Sequence, residues 1–136
     1  MSIVLVVAAA LVVLILAMVL VGARLPRDHV ASRSATLARP PDQVWPAMLA
    51  VAARSKLPVA VEVEEPPRRR VTRISDDSLP FGGRWIFELE PTNGATRLTV
   101  TEQGFIKNPL FRFMSRFVFG YSATIDRFLA DLAKQL

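Results

Sequence analysis

The chain opens with an unbroken apolar block. Ile3 to Val21 is 19 consecutive residues drawn only from Ala, Val, Leu, Ile and Met. As a helix rising about 1.5 Å per residue, the run spans about 28 Å, close to the hydrocarbon thickness of a bilayer. It has no polar face, so it does not read as the core helix of a small domain. After Leu25-Pro26-Arg27-Asp28 the pattern changes. Arg33, Ala35 and Leu37 alternate with Ser32, Ser34 and Thr36, which predicts a strand over 30–38. Pro41 and Asp42 suit the first turn of a helix reaching about Lys56, with Val44, Trp45, Met48, Leu49 and Ala52 on one side and Pro46 near enough to the start to be tolerated. From Val59 the period is two: strands over 59–65 and 69–74 flank a Pro66-Pro67 turn. The segment 75–83 reads as a loop. Trp85, Phe87 and Leu89 then alternate with Ile86, Glu88 and Glu90, Thr92-Asn93-Gly94 makes a hairpin turn, and 97–102 returns, completing an antiparallel meander.

The last segment reverts to helix. Asn108 is a capping residue, Pro109 fits the first helical position, and Leu110, Met114, Phe117, Tyr121, Ile125, Phe128, Leu132 and Leu136 recur every three or four residues. This predicts one long amphipathic helix. Phe111, Phe113 and Phe119 widen its apolar stripe, and so wide a face needs a large apolar partner.

Composition divides the 136 residues in the same way. All 17 Lys+Arg and 12 Asp+Glu lie after Ala23, where they make up roughly a quarter of the residues, an ordinary globular share. The expected organisation is an anchor over 1–23, a juxtamembrane linker over 24–30 and one small domain over 31–136. A cleavable signal is the alternative, because Val21-Gly22-Ala23 fits a small-x-small site. No basic residue precedes Ile3, however, and the apolar run exceeds the usual signal length. Arg24, Arg27, Arg33 and Arg39 follow the span, so the positive-inside bias places a single-pass protein in the cell membrane with its domain in the cytoplasm; export after signal cleavage is the other reading.

With no Cys, the chain has no disulfide framework, thiol nucleophile or thiolate zinc site, and one His makes no His cluster. Neither GxGxxG nor GxxxxGK[ST] is present. No cofactor or metal is expected. A net charge of +5 fits anionic headgroups as readily as nucleic acid, and nucleic-acid binding is not expected.

Five stretches carry a family resemblance: Pro40-Pro41-Asp42-Gln43-Val44-Trp45, Glu65-Pro66-Pro67-Arg68-Arg69, Leu79 to Trp85, Gly94 to Glu102, and Asn108 to Phe113. In this order they resemble the SRPBCC superfamily of START-like, polyketide cyclase/dehydrase-like proteins, and more narrowly its members that begin with one transmembrane helix. The resemblance implies an α+β helix-grip domain, a curved antiparallel sheet wrapped around a long C-terminal helix with an apolar cavity between them. The family pattern places a short helix and two further strands after the first helix, whereas Lys56-Leu57-Pro58 here leads almost directly into Val59. A shortened sheet of about five strands is therefore expected, with a more open cavity or an edge covered by a partner chain.

Candidate chemistry is sparse. His29 beside Asp28 is poorly arranged as an acid/base dyad, because neighbours in an extended segment point to opposite sides. Glu62 with Glu64, and Glu88 with Glu90, read as solvated strand faces. Arg24, Arg27 and the run Arg68, Arg69 and Arg70 are the expected membrane-surface contacts; the run reads equally as the guarded edge of a sheet, and Lys107, Arg112 and Arg116 are a further headgroup candidate. The resemblance makes Trp45, Trp85, Phe87, Phe113, Phe117, Tyr121 and Phe128 the candidate cavity lining. The expected function is membrane-tethered, non-catalytic binding of a hydrophobic small molecule or lipid. Two alternatives stand beside it: an aromatase/cyclase-like enzyme acting on a polyketide-type substrate, and an interaction module using an exposed sheet edge.

Overall fold

The computed structural model describes residues 2–136. Helix α1 (Ile3–Arg24) is long and apolar enough to cross a membrane, and the Ser2 hydroxyl accepts a hydrogen bond from the Leu5 amide at its start. Strand β1 (Asp28–Leu37) follows after three connecting residues, so His29 and Val30 belong to the sheet rather than to a linker. Helix α2 (Pro41–Ala52) comes next, four residues shorter than its apolar pattern suggests, and then β2 (Val59–Glu65), β3 (Arg69–Ile74), β4 (Phe81–Thr92) and β5 (Ala95–Ile106). These five strands form one antiparallel sheet in the order β1-β5-β4-β3-β2.

Strands β4 and β5 are longer than their alternation shows. Gly82 pairs with Phe105 and Gly83 with Gly104, and a Cβ on Gly83 would stand 2.1 Å from the Gln103 carbonyl oxygen. Such close backbone approach admits only glycine, and residues without side chains contribute nothing to a period-two pattern. Asn93 and Gly94, both at positive φ, form the tight turn between these strands. On the outer face of β1, Ser32 and Ser34 hydroxyls meet those of Thr101 and Thr99 at 3.1 and 2.8 Å.

The expected single C-terminal helix is broken. Helix α3 (Pro109–Met114), capped by the Asn108 carboxamide, continues into a π-helical turn (Ser115–Phe119) that ends at Gly120, at φ 78°. The chain then turns and restarts as α4 (Ala123–Gln135). α4 packs on the inner face of the sheet beside α2, whereas α3 packs on the end of α1. The core lies between the sheet, α2 and α4, with Val44, Met48, Leu98, Val100, Ile125 and Leu132 fully enclosed. Among the described residues the one buried polar side chain, Thr96, donates its hydroxyl to the Arg39 carbonyl at 2.7 Å.

Strand β2 contains a bulge between Val61 and Val63. The extra residue reverses the side-chain alternation, so Glu62 and Glu64 do not share a face as their spacing suggests. Glu62 joins Arg84 and Arg73 on the outer surface, whereas Glu64 pairs with Arg70 on the inner side. The Arg84 hydrogen bond holds the Glu62 carboxyl below its usual pKa of 4.5.

Leu98→Ala removes enclosed apolar volume at the centre of the sheet and lowers the unfolding free energy by about 2–5 kcal/mol, measurable by denaturant unfolding of the detergent-solubilised chain. The depressed Glu62 pKa gives a stabilisation that is present above its unfolded value and is lost as pH falls through its folded one. Acid titration of stability below pH 4.5 should therefore flatten in Glu62→Gln, and an unchanged profile would show that the pair contributes nothing.

Candidate functional site

A cavity of about 1140 Å³ lies between the inner face of the sheet, the C-terminal end of α2, the α3–π segment and α4. Its formation follows from the strand alternation and the Gly120 break. Trp85 and Phe87 on β4, with Thr72 and Ile74 on β3, point inward; Phe128 on α4 meets both aromatics, edge-on to Trp85 at 5.7 Å and tilted against Phe87 at 5.5 Å. Met48, Leu49 and Val51 close one end, and Phe81, Ile106, Phe111, Val118 and Phe119 form the other.

Polar side chains interrupt these apolar walls: Arg54, Ser55, Ser115, Thr124, Arg127 and Asp131 along the helices, and two groups on the sheet side. At the α1 end, the His29 ring lies against Gly104, where a Cβ would approach the imidazole to 2.8 Å, and is covered on its other side by Tyr121. The His29 and Tyr121 rings stack 4.4 Å apart and 12° from parallel. The Glu102 carboxylate stands 3.9 Å from His29 Nε2, beyond hydrogen-bond reach. Three strands away across the sheet, Arg70 is 16% exposed and its nearest carboxylate, Glu64, is at 3.9 Å. Its buried Nε has no hydrogen-bond partner. Each group offers donors to the cavity: an imidazole and a phenol at one end, a guanidinium at the other.

Of the expected lining residues, Trp85, Phe87, Tyr121 and Phe128 face the cavity. Trp45 does not; it is buried in the core beside Val44 and Met48, on the side of α2 turned to the sheet. Phe113 and Phe117 do not line it either. They pack on each other at 4.9 Å, because Phe111, Ser115, Val118 and Phe119 share the face of the α3–π segment turned to the cavity and Phe113 and Phe117 fall on another. The sequence reading missed Glu102, Phe81 and Phe105, and gave His29 and Arg70 other places, at the chain's exit from the membrane and at a membrane-surface contact; all five line the cavity. His29 and Glu102 were legible only through the β1–β5 register, which sets Ala31 opposite Glu102 and His29 opposite Gly104.

The expected basic contacts also separate. Arg24 ends α1 and Arg27 stacks over Phe105 at 5.2 Å, both at the α1 end of the sheet. Arg68, Arg69 and Arg70 are at the opposite end: Arg69 pairs with Glu88, seven residues along β4 from Phe81, or about 23 Å at strand rise. That separation exceeds two Debye lengths at physiological salt, about 8 Å each. Arg70 faces the cavity and Arg68 is paired with Glu65 at 2.9 Å. A smaller hollow of about 340 Å³ on the other side of the sheet is bordered by Asp28, Arg73, Asp76, Asp77 and Arg84. Among the described residues, no three His, Asp or Glu side chains gather as metal ligands.

The chain matches no protein-family model and no curated protein sequence. It does match solved structures. A conserved protein from Geobacillus kaustophilus is 15% identical with a TM-score of 0.64, covering 79% of this chain and 94% of that one. A START superfamily protein from Mycobacterium smegmatis is 12% identical with a TM-score of 0.54, covering 79% and 96%. CalU16 from Micromonospora echinospora is 13% identical with a TM-score of 0.56, covering 76% and 63%. At such identities the likeness is one of fold, and the fold is START-like: an α+β helix-grip domain with a five-stranded antiparallel sheet.

Because His29 is the chain's only histidine, its stacking is directly observable. Its imidazole proton resonances should be shifted upfield by the Tyr121 ring and should return towards unstructured values in Tyr121→Leu. Identical shifts in the two proteins would refute the stacked pair.

Proposed function

We propose that this chain is a single-pass membrane protein whose START-like domain binds a hydrophobic small molecule or lipid without catalysing a reaction. The observation that carries the reading is the cavity of about 1140 Å³, somewhat above the usual ligand-pocket range of roughly 300–1,000 Å³, with aromatic and aliphatic side chains at its centre and His29, Tyr121 and Arg70 among its polar groups. Such a site suits an amphiphile: apolar burial supplies affinity, while the His29–Tyr121 pair or Arg70 orients a polar end. On this reading α1 is the anchor, and Arg24 and Arg27 favour a cytoplasmic domain. That a protein of this fold carries the START name supports ligand binding in the cavity.

The His29–Glu102–Tyr121 group favours a second reading, general acid/base work on a cyclising polyketide-type substrate. The 3.9 Å gap between His29 and Glu102 argues against it, since an oriented base is held by a direct hydrogen bond. An interaction module using the sheet edge has less support. Strand β2 is bulged and carries Glu62, Glu64 and Glu65, features that discourage strand addition.

Native mass spectrometry of the full chain released from nanodiscs should detect one small apolar adduct per chain. Thr72→Trp, which fills the cavity between Trp85 and Ile74, should abolish the adduct while leaving the circular dichroism unchanged. A wild-type chain without an adduct would overturn the binding reading.

A further inference from the structure

The proposed ligand needs a route into the cavity, and the packing of α3 on α1 supplies one. Among α1 residues, Met18, Val19 and Gly22 are drawn out of solvent, and α3 is the element that packs against this end of the helix. The fit is close: a Cβ on Gly22 would fall 1.8 Å from the Pro109 carbonyl oxygen. Arg112 locks the junction. Its Nη1 donates to the Gly22 and Leu25 carbonyls, both at 3.3 Å, and its Nη2 donates to the Lys107 carbonyl at 2.9 Å. A cation placed on the last carbonyls of α1 also opposes the negative end of the helix dipole.

This contact sets the depth of α3. Met18 lies five residues before Ala23, the last residue ahead of the first charge, which is about 7 Å along the helix axis. An element lying beside Met18 to Gly22 is therefore level with the headgroup and outer acyl region of any bilayer that α1 spans, the depth at which interfacial amphipathic segments lie. The exposed side chains there are suited to that depth. Phe111, Phe117, Val118 and Phe119 are each more than half exposed, a contiguous apolar patch in an otherwise ordinary domain surface. The charges nearest to them in sequence are basic: between Glu102 and Asp126 the charged residues are Lys107, Arg112 and Arg116, and Arg24 and Arg27 lie at the end of α1, while Asp28 adjoins Arg27 and Asp76 and Asp77 lie by Lys107. Aromatic side chains flanked by cations are the usual composition of a surface that enters an anionic leaflet.

Phe111, Val118 and Phe119 also line the cavity. We infer that the α3–π segment is inserted in the same leaflet as the end of α1 and forms the mouth of the cavity, so that the ligand enters from the bilayer without crossing water. The inference deepens the proposed binding function and rests on it. It adds that the domain does not leave its membrane to load: Arg112 and Gly22 hold the mouth in place.

The absence of cysteine allows a direct test. Val118→Cys and Arg68→Cys are each labelled with an NBD fluorophore in the full chain and placed in phosphatidylcholine–phosphatidylglycerol nanodiscs. The label at 118 should emit to the blue of the label at 68 and be quenched severalfold more strongly by doxyl-bearing lipids. Equal emission and quenching at the two positions would overturn the inference, as would a chain that elutes apart from the discs. The adduct in the native mass spectrum is read separately. A bound ligand with a solvated label at 118 defeats the entry route alone; a buried label with no adduct defeats the binding function and leaves the docking in place.

Discussion

The backbone break at Gly120 is the constraint on which the rest of the architecture depends. Without it, the apolar stripe from Leu110 to Leu136 would form one helix, and its aromatics would lie along the sheet. Gly120 instead takes a conformation that side-chain-bearing residues avoid, and the segment separates into two parts with different partners. α4 fills the inner face of the sheet with Ile125, Phe128, Leu129 and Leu132. α3 and the π turn are directed to α1. The cavity lies where these directions diverge, and Tyr121, just after the break, is placed over His29.

The two ends of the domain differ in how tightly they are packed. Around Leu98, Val100 and Leu132 the side chains are fully enclosed, and burial of this kind at about 25 cal/mol per Å² is the main favourable term in folding. Towards α1 the enclosure loosens: Phe81, Phe111 and Phe119 stay exposed and the strands contain Gly82, Gly83 and Gly104. Those glycines bring β4 and β5 close together and leave space above the sheet, which His29 partly occupies.

Much of the fold was legible in the sequence because it is written in side-chain periodicity. The meander, the Asn93-Gly94 turn, the start of α2 at Pro41 and the apolar length of α1 all follow from spacing. Periodicity does not register what the backbone does without side chains. It therefore undercounted β4 and β5 at Gly82, Gly83 and Gly104 and ran through Gly120 as though the helix continued. Glycine inside a helical stripe costs about 1 kcal/mol relative to alanine, and Gly120 was the available sign of the break. The candidate site was less legible. Trp85, Phe87, Tyr121 and Phe128 follow from family resemblance, but His29, Glu102 and Arg70 come together through strand register and a bulge, which depend on pairings far apart in sequence.

The distribution of charge completes the picture. Arg68 and Arg69 belong to the densest basic run, yet they lie at the end of the sheet away from α1, where Arg68 pairs with Glu65 and Arg69 stands opposite Glu88. Of the sparser cations, Arg27 stands over Phe105 and Arg116 over the exposed Phe117, and the one carboxylate near them in sequence is Asp28. What matters for a membrane surface is distance from it and local balance, because screening removes a charge's influence within about 8 Å at physiological salt. If α1 spans a bilayer as proposed, a cationic run remote from it does little for attachment, and a few cations around the apolar α3–π patch do more. Arg112 differs from these cations: it is committed to the Gly22, Leu25 and Lys107 carbonyls and so fixes where α3 stands against α1.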